Sequence, residues 1–248
     1  MQEIYTKPAR SPELADRSRV PAAELAAYDR AYSLVEKYSQ DNAVARARPL
    51  VGGEPYAHPY RVAWTNAPAL CSAFLDAAYV TSRRAGKPGW YAPADHEMVD
   101  LVLGFDSGYW VFHAGHTANA IASGVRIEAM LALRHGTEEQ LTEEEALQVA
   151  FIRAVRDGEM TDELWARMLE RVGTLEGTIA FAYQVAMLSS IQQMMSVFGV
   201  PAMRPEDWDR LIDGYQRGSV DPADSTQDWV WDTIKELEAT RASASGGA

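Results

Sequence analysis

The stretch A94-DHEMVDLVLGFDSGYWVFHAGHTANAIAS-G124 decides how this chain is read. It carries three of the five histidines, His96, His113 and His116, and the acid Glu97 interrupts its apolar run. The pattern predicts two helices separated by a short break. Asp95 is the expected N-cap of the first, which runs through Glu97, Met98, Leu101 and Val102. Gly104 to Gly108 supply the breakers, and Ser107 is the expected cap of a second helix that ends at Gly124. Tyr109, Phe112, His116 and Ala120 follow at steps of three and four residues, so they are expected on one helical face, with His113 beside them. Small residues fill the remainder and allow neighbouring helices to approach closely. An apolar, aromatic wall that carries imidazole is a surface suited to a small-molecule pocket.

Outward from this stretch, cap and stop signals recur. Pro21 opens a helix to about Tyr38, and residues 40–62 read as a long irregular connection that holds His58 and Arg61. Asn66 is the expected cap of a helix to about Arg84, with Leu70, Phe74, Ala77 and Ala78 facing inward and Cys71 as a small buried hydrophobe. A short helix spans Arg126 to Arg134, stopped by Gly136. Thr142 with Glu145 forms a capping box for a helix ending near Gly158. Thr161 opens another, and Thr174 precedes the longest apolar helix, about Leu175 to Phe198, closed by Gly199 and Pro201. That helix has so little polar surface that burial on most sides, in the core or at a subunit interface, is expected. Strand signals are nearly absent, which gives an all-α fold. The organisation expected is an N-terminal arm, helix and loop over 1–59, a helical domain over 60–201, and a C-terminal extension over 202–248. The tryptophans of that extension should pack on the body, and its tail should be disordered.

Composition excludes several function classes. At 248 residues and 47% apolar content the chain can build a substantial core. No apolar run reaches the roughly 18 to 20 residues needed to cross a bilayer, and MQEIYTKPARSPE lacks the make-up of a signal peptide; a cytoplasmic protein without a membrane partner is expected. One cysteine precludes an internal disulfide or a cysteine-based metal cluster. With 35 acidic against 23 basic residues, the net charge of −12 argues against nucleic acid as a partner.

Glu97 followed nineteen positions later by His116, then Ala120 and Gly124 as H-x-x-x-A-x-x-x-G, resembles the carboxymuconolactone decarboxylase / AhpD-like alkylhydroperoxidase superfamily. The likeness continues through LTEEEALQVAFIRAVRDGEMTDELWARM and the helix ending SVFGVP, over about residues 60–201. It implies a small AhpD-like helical bundle whose subunits associate as trimers or hexamers. The peroxidase branch has the pattern C-x-x-C-x-x-x-H, but this chain holds Tyr109 and Phe112 at the two cysteine positions. Rings cannot form a sulfenate or a disulfide, so thiol peroxidase activity is rejected. The decarboxylase branch shows a Y-E-W-x-x-H-like run, of which only the final histidine, His116, is matched here.

The resemblance therefore implies a cofactor-independent lyase, a decarboxylase of a small carbonyl or lactone acid, with Glu97 and His116 as its proton-transfer pair. Tyr109, Phe112 and His113 would line the substrate pocket, and Tyr109 or Tyr183 would donate a hydrogen bond to an enolate. Arg61, Arg83 or Arg84 would hold an anionic group. Isomerisation or elimination beside a carbonyl would use the same groups. Two alternatives stand beside this. In one, His113 and His116, at i and i+3, bind a metal with Glu97 or His58. In the other, the chain is a non-catalytic oligomer that binds an aromatic or lactone-like ligand. His96 is expected outside the site, near the helix start.

Overall fold

The computed structural model describes residues 10, 14, 16–30, 65–84, 88–200 and 202–218. Residues 22–30 are helical. Eight α-helices follow: α1 (Pro68–Arg84), α2 (Pro93–Ser107), α3 (His113–Ala122), α4 (Ile127–His135), α5 (Glu143–Asp157), α6 (Asp162–Val172), α7 (Leu175–Phe198) and α8 (Pro205–Gln216). No strand occurs among the described residues, and the fold is all-α. None of the described helices is long and apolar enough to cross a membrane.

Local chemistry accounts for most of the helix ends. The Thr142 hydroxyl accepts the Glu145 amide at 3.2 Å, while Glu145 accepts the Thr142 amide at 2.8 Å, which completes a reciprocal cap. Thr161 and Thr174 accept the amides of Leu164 (3.2 Å) and Gly177 (3.1 Å) at the starts of α6 and α7. Each such cap contributes about 1 kcal/mol. The C-terminus of α7 is covered by Arg10, whose guanidinium donates to the Val197 carbonyl at 2.6 Å, where a cation also meets the negative end of the helix dipole.

Helix α2 is the centre of the packing. It lies against α3, α4, α5 and α7, and its residues from Glu97 to Gly104 are all buried. Helix α7 runs alongside α1, α2, α5 and α6. Its buried side includes Phe181, Val185, Leu188, Ile191 and Met195. On its opposite side Leu175, Ile179, Tyr183 and Val197 are more than half exposed in the single chain. Leu70 on α1 likewise faces out rather than in, whereas Cys71 beside it is buried, and burial pushes its thiol up to about 12. From the C-terminal segment, Trp208 of α8 is fully buried and donates its indole N–H to Thr117 on α3 at 2.9 Å. Burying a side chain of that size contributes about 2–3 kcal/mol. Trp229 and Trp231 lie outside the described residues, as does the expected disordered tail.

The junction between α2 and α3 departs from the sequence reading in three ways. Asp95 is not the N-cap. It is the third residue of α2, where its carboxylate accepts the Ala92 amide at 2.7 Å and pairs with Arg171 at 2.6 Å. Gly104 does not break the helix; α2 continues to Ser107 and ends on Gly108 at φ +67°. Helix α3 begins at His113, so Tyr109 and Trp110 belong to the connecting segment and Phe112 is only its cap residue. Ser107 caps nothing on α3; its hydroxyl accepts the Tyr109 amide at 3.2 Å. A tertiary contact explains why Gly104 stays helical. The His113 ring lies against it so closely that an added β-carbon would collide with Cε1 and lie 2.7 Å from Nδ1. Glycine is there to leave a notch, not to end the helix.

Candidate functional site

Two environments form where α2 meets α3. The first is a polar cluster. Glu97, on the buried face of α2, brings Oε2 to 2.7 Å from Nδ1 of His116 on α3. Asp100, one turn further along α2, places Oδ2 3.1 Å from the same nitrogen. Residues at i and i+3 share a helical face, so both carboxylates point at one ring. Glu97 and Asp100 are buried, whereas the His116 side chain keeps 23% of its surface exposed, which gives the cluster a route to its surroundings. Phe112 sets its edge against the ring, with centroids 5.9 Å apart.

The charges are strongly coupled. Burial by itself would lower the pKa of His116, but the carboxylates of Asp100 and Glu97 outweigh it and raise the imidazole to about 9. Burial pushes the Asp100 carboxyl up, partly offset by the His116 and His96 rings. The cluster therefore holds a proton on His116 at neutral pH.

The second environment is aromatic. His113 is completely buried, stacked on Trp110 (centroids 5.2 Å apart, planes 15° from parallel) and edge-on to Phe105 at 4.5 Å. Trp208 closes the box against both Phe105 and Trp110. Neither nitrogen of the His113 ring has a hydrogen-bond partner among the described residues, and burial depresses its pKa to about 3. Arg134 lies over the Trp110 ring, 4.9 Å from its centroid.

Of the residues singled out in the sequence, the structure brings Glu97, His116 and Phe112 together. His113 does not join them, which removes it from the metal set with His116 and Glu97; its ring lies in the aromatic box. Tyr109 is buried, but its hydroxyl donates to the Val200 carbonyl at 2.6 Å and its own carbonyl accepts from Gln192 at 2.9 Å, so it is committed to holding α7. Tyr183 is 52% exposed on the outer side of α7. His58 and Arg61 lie outside the described residues, and Arg83 and Arg84 end α1.

The sequence reading passed over two members of the cluster. His96, expected outside, is half-buried, with its ring centroid 6.3 Å from that of His116 and its Nδ1 buried. Asp100 was not singled out at all. The signal was present: residues 96, 97 and 100 share one helical face, and Asp100 is an acid inside the apolar run MVDLVLG. With this geometry established, comparison with protein families, curated proteins and solved structures finds no match to the chain.

Proposed function

We propose that this chain is a lyase of the carboxymuconolactone decarboxylase type, which releases CO2 from a small carbonyl or lactone acid by proton transfer through Glu97 and His116. The observation that carries the reading is the 2.7 Å contact between Glu97 Oε2 and His116 Nδ1, made by a buried carboxylate on a partly exposed ring. Asp100 extends the pair to a triad in which two acids hold one imidazole charged.

The chemistry follows from that loading. In the substrate, the bond between the carboxylate carbon and its neighbour breaks, and the electron pair passes into the conjugated carbonyl to form a dienolate. CO2 leaves, and the imidazolium of His116 supplies the proton that converts the dienolate to product. Glu97 and Asp100 fix the ring and hold its charge; water returns the proton through the exposed edge of the ring. Tyr109, whose hydroxyl is already bound, lines no part of this step, and the nearest apolar wall is Phe112. The same proposal takes the chain to be a homo-oligomer, trimer or hexamer, with the exposed Leu175, Ile179 and Tyr183 of α7 as the associating surface. Sedimentation of the wild type against Ile179→Glu tests that part.

The catalytic test uses metal-free protein and a panel of 3-oxo acids and unsaturated lactone acids in deuterated water. The expected result is CO2 release with one deuteron in the product, reduced about 100-fold or more in His116→Ala. Saturable binding across the panel with no turnover would instead make the chain a ligand-binding protein.

A further inference from the structure

The α2–α3 junction carries a donor set that proton transfer alone does not use. His96 and Asp100 are four residues apart in the run H96-E-M-V-D100, so both project from one side of α2. This is the spacing by which two side chains of one helix grip a common ion, with a carboxylate where H-E-x-x-H helices carry a second imidazole. His116 arrives from α3 as a third donor. One ligating atom from each of the three residues lies within 4.8 Å of the others.

Two of these residues also carry a buried atom with no hydrogen-bond partner among the described residues: Asp100 Oδ2 and His96 Nδ1. Asp100 Oδ2 lies 3.1 Å from His116 Nδ1, a nitrogen that also meets Glu97 Oε2 at 2.7 Å. Two buried carboxylates that face one imidazole leave an excess of negative charge, which favours a further cation.

We propose that His96, Asp100 and His116 form a binding site for one divalent first-row transition ion of the Zn2+ class. Two imidazoles and one carboxylate favour such an ion over Mg2+ or Ca2+, which take oxygen donors. Tetrahedral coordination with bonds of about 2.0–2.2 Å separates ligand atoms by about 3.3 Å. Three protein ligands leave a fourth position open, the arrangement of zinc sites that accept a water or a substrate. Glu97, in contact with His116, is a positioning residue, as a carboxylate that orients a ligating imidazole is. The site stands whether or not the chain is a decarboxylase, because it rests on the donor set alone.

The test is titration of metal-stripped, full-length protein with Zn2+, followed by calorimetry and by the histidine ring resonances in NMR. One equivalent should bind saturably, and the His96 and His116 signals should move while those of His113 and the exposed His135 stay in place. Saturable binding should vanish in His96→Ala and Asp100→Asn and persist in His135→Ala. The ring-resonance readout needs no variant, so it holds even where a substitution unfolds the chain. Absence of saturable binding overturns the proposal. Binding that is unchanged in both His96→Ala and Asp100→Asn, or that moves only His135, does so as well. None of these outcomes bears on turnover of the metal-free protein, which tests the decarboxylase reading separately.

Discussion

His113 and His116 stand one turn apart on α3, yet their surroundings push their acidities in opposite directions. His116 meets two carboxylates and is raised to about 9; His113 meets only rings and is depressed to about 3. The two share a helix and both pack against α2, so the backbone does not separate them, and the more exposed ring is the one that holds its proton. The difference lies in what α2 presents to each: acids at 97 and 100, and a missing side chain at 104. An imidazole becomes a proton carrier or a packing unit according to its immediate neighbours.

The contrast can be broken at several points, and the largest effect should come from acid. The folded-state pKa of His113 is depressed relative to the unfolded value near 6.5. The unfolded chain therefore binds this proton first as pH falls. Its contribution is intact above about pH 6.5, diminishes progressively below it, and levels off near pH 3. The loss is on the order of 5 kcal/mol. Urea unfolding between pH 7 and 3 should show it, and His113→Leu, which removes the titrating ring, should flatten that limb. An unchanged slope in this variant would mean the ring is not sealed from protons.

Filling the notch should come next. Gly104→Ala places a methyl group into the His113 ring, with an expected cost of about 3 kcal/mol in denaturant unfolding. Adding His113→Ala to Gly104→Ala should recover part of it, because the collision is removed. A third variant acts on the polar side. Glu97→Gln takes away one of the two acids that hold the His116 proton, and the ring's NMR titration midpoint should fall by about one to two pH units. Asp100 remains, so the fall is partial. The smallest effect is expected from Tyr109→Phe. It removes the hydroxyl donated to Val200 and should cost about 1 kcal/mol of stability, with no change in turnover by the metal-free protein. A turnover defect there would return Tyr109 to the site.

Where a structural feature depends on residues adjacent in sequence, it was legible without coordinates. Thr142 with Glu145, Thr161 and Thr174 announce helix starts through hydroxyls that accept the amide three residues on, and Gly136, Gly158 and Gly199 announce stops. Gly104 looks the same on paper and does the opposite. Its reason is a ring nine residues away, and no local rule reaches that far. The pairing of Glu97 with His116 came from a resemblance in spacing. The two further donors lie on the helical face shared by residues 96, 97 and 100, which a spacing between Glu97 and His116 alone does not reveal. Tyr109 and Phe112 precede a helix that begins only at His113, so the expected stripe with His116 does not form.

The notch in α2 has one more effect. The His113 ring works as a peg, and a peg in a notch fixes how one rod slides and turns along another. Three residues on, that fixed register determines where the His116 ring comes to rest. Mutations that never touch an acid could then detune the proton cluster by loosening the peg, making the greasy side of α3 the alignment pin for its wet side.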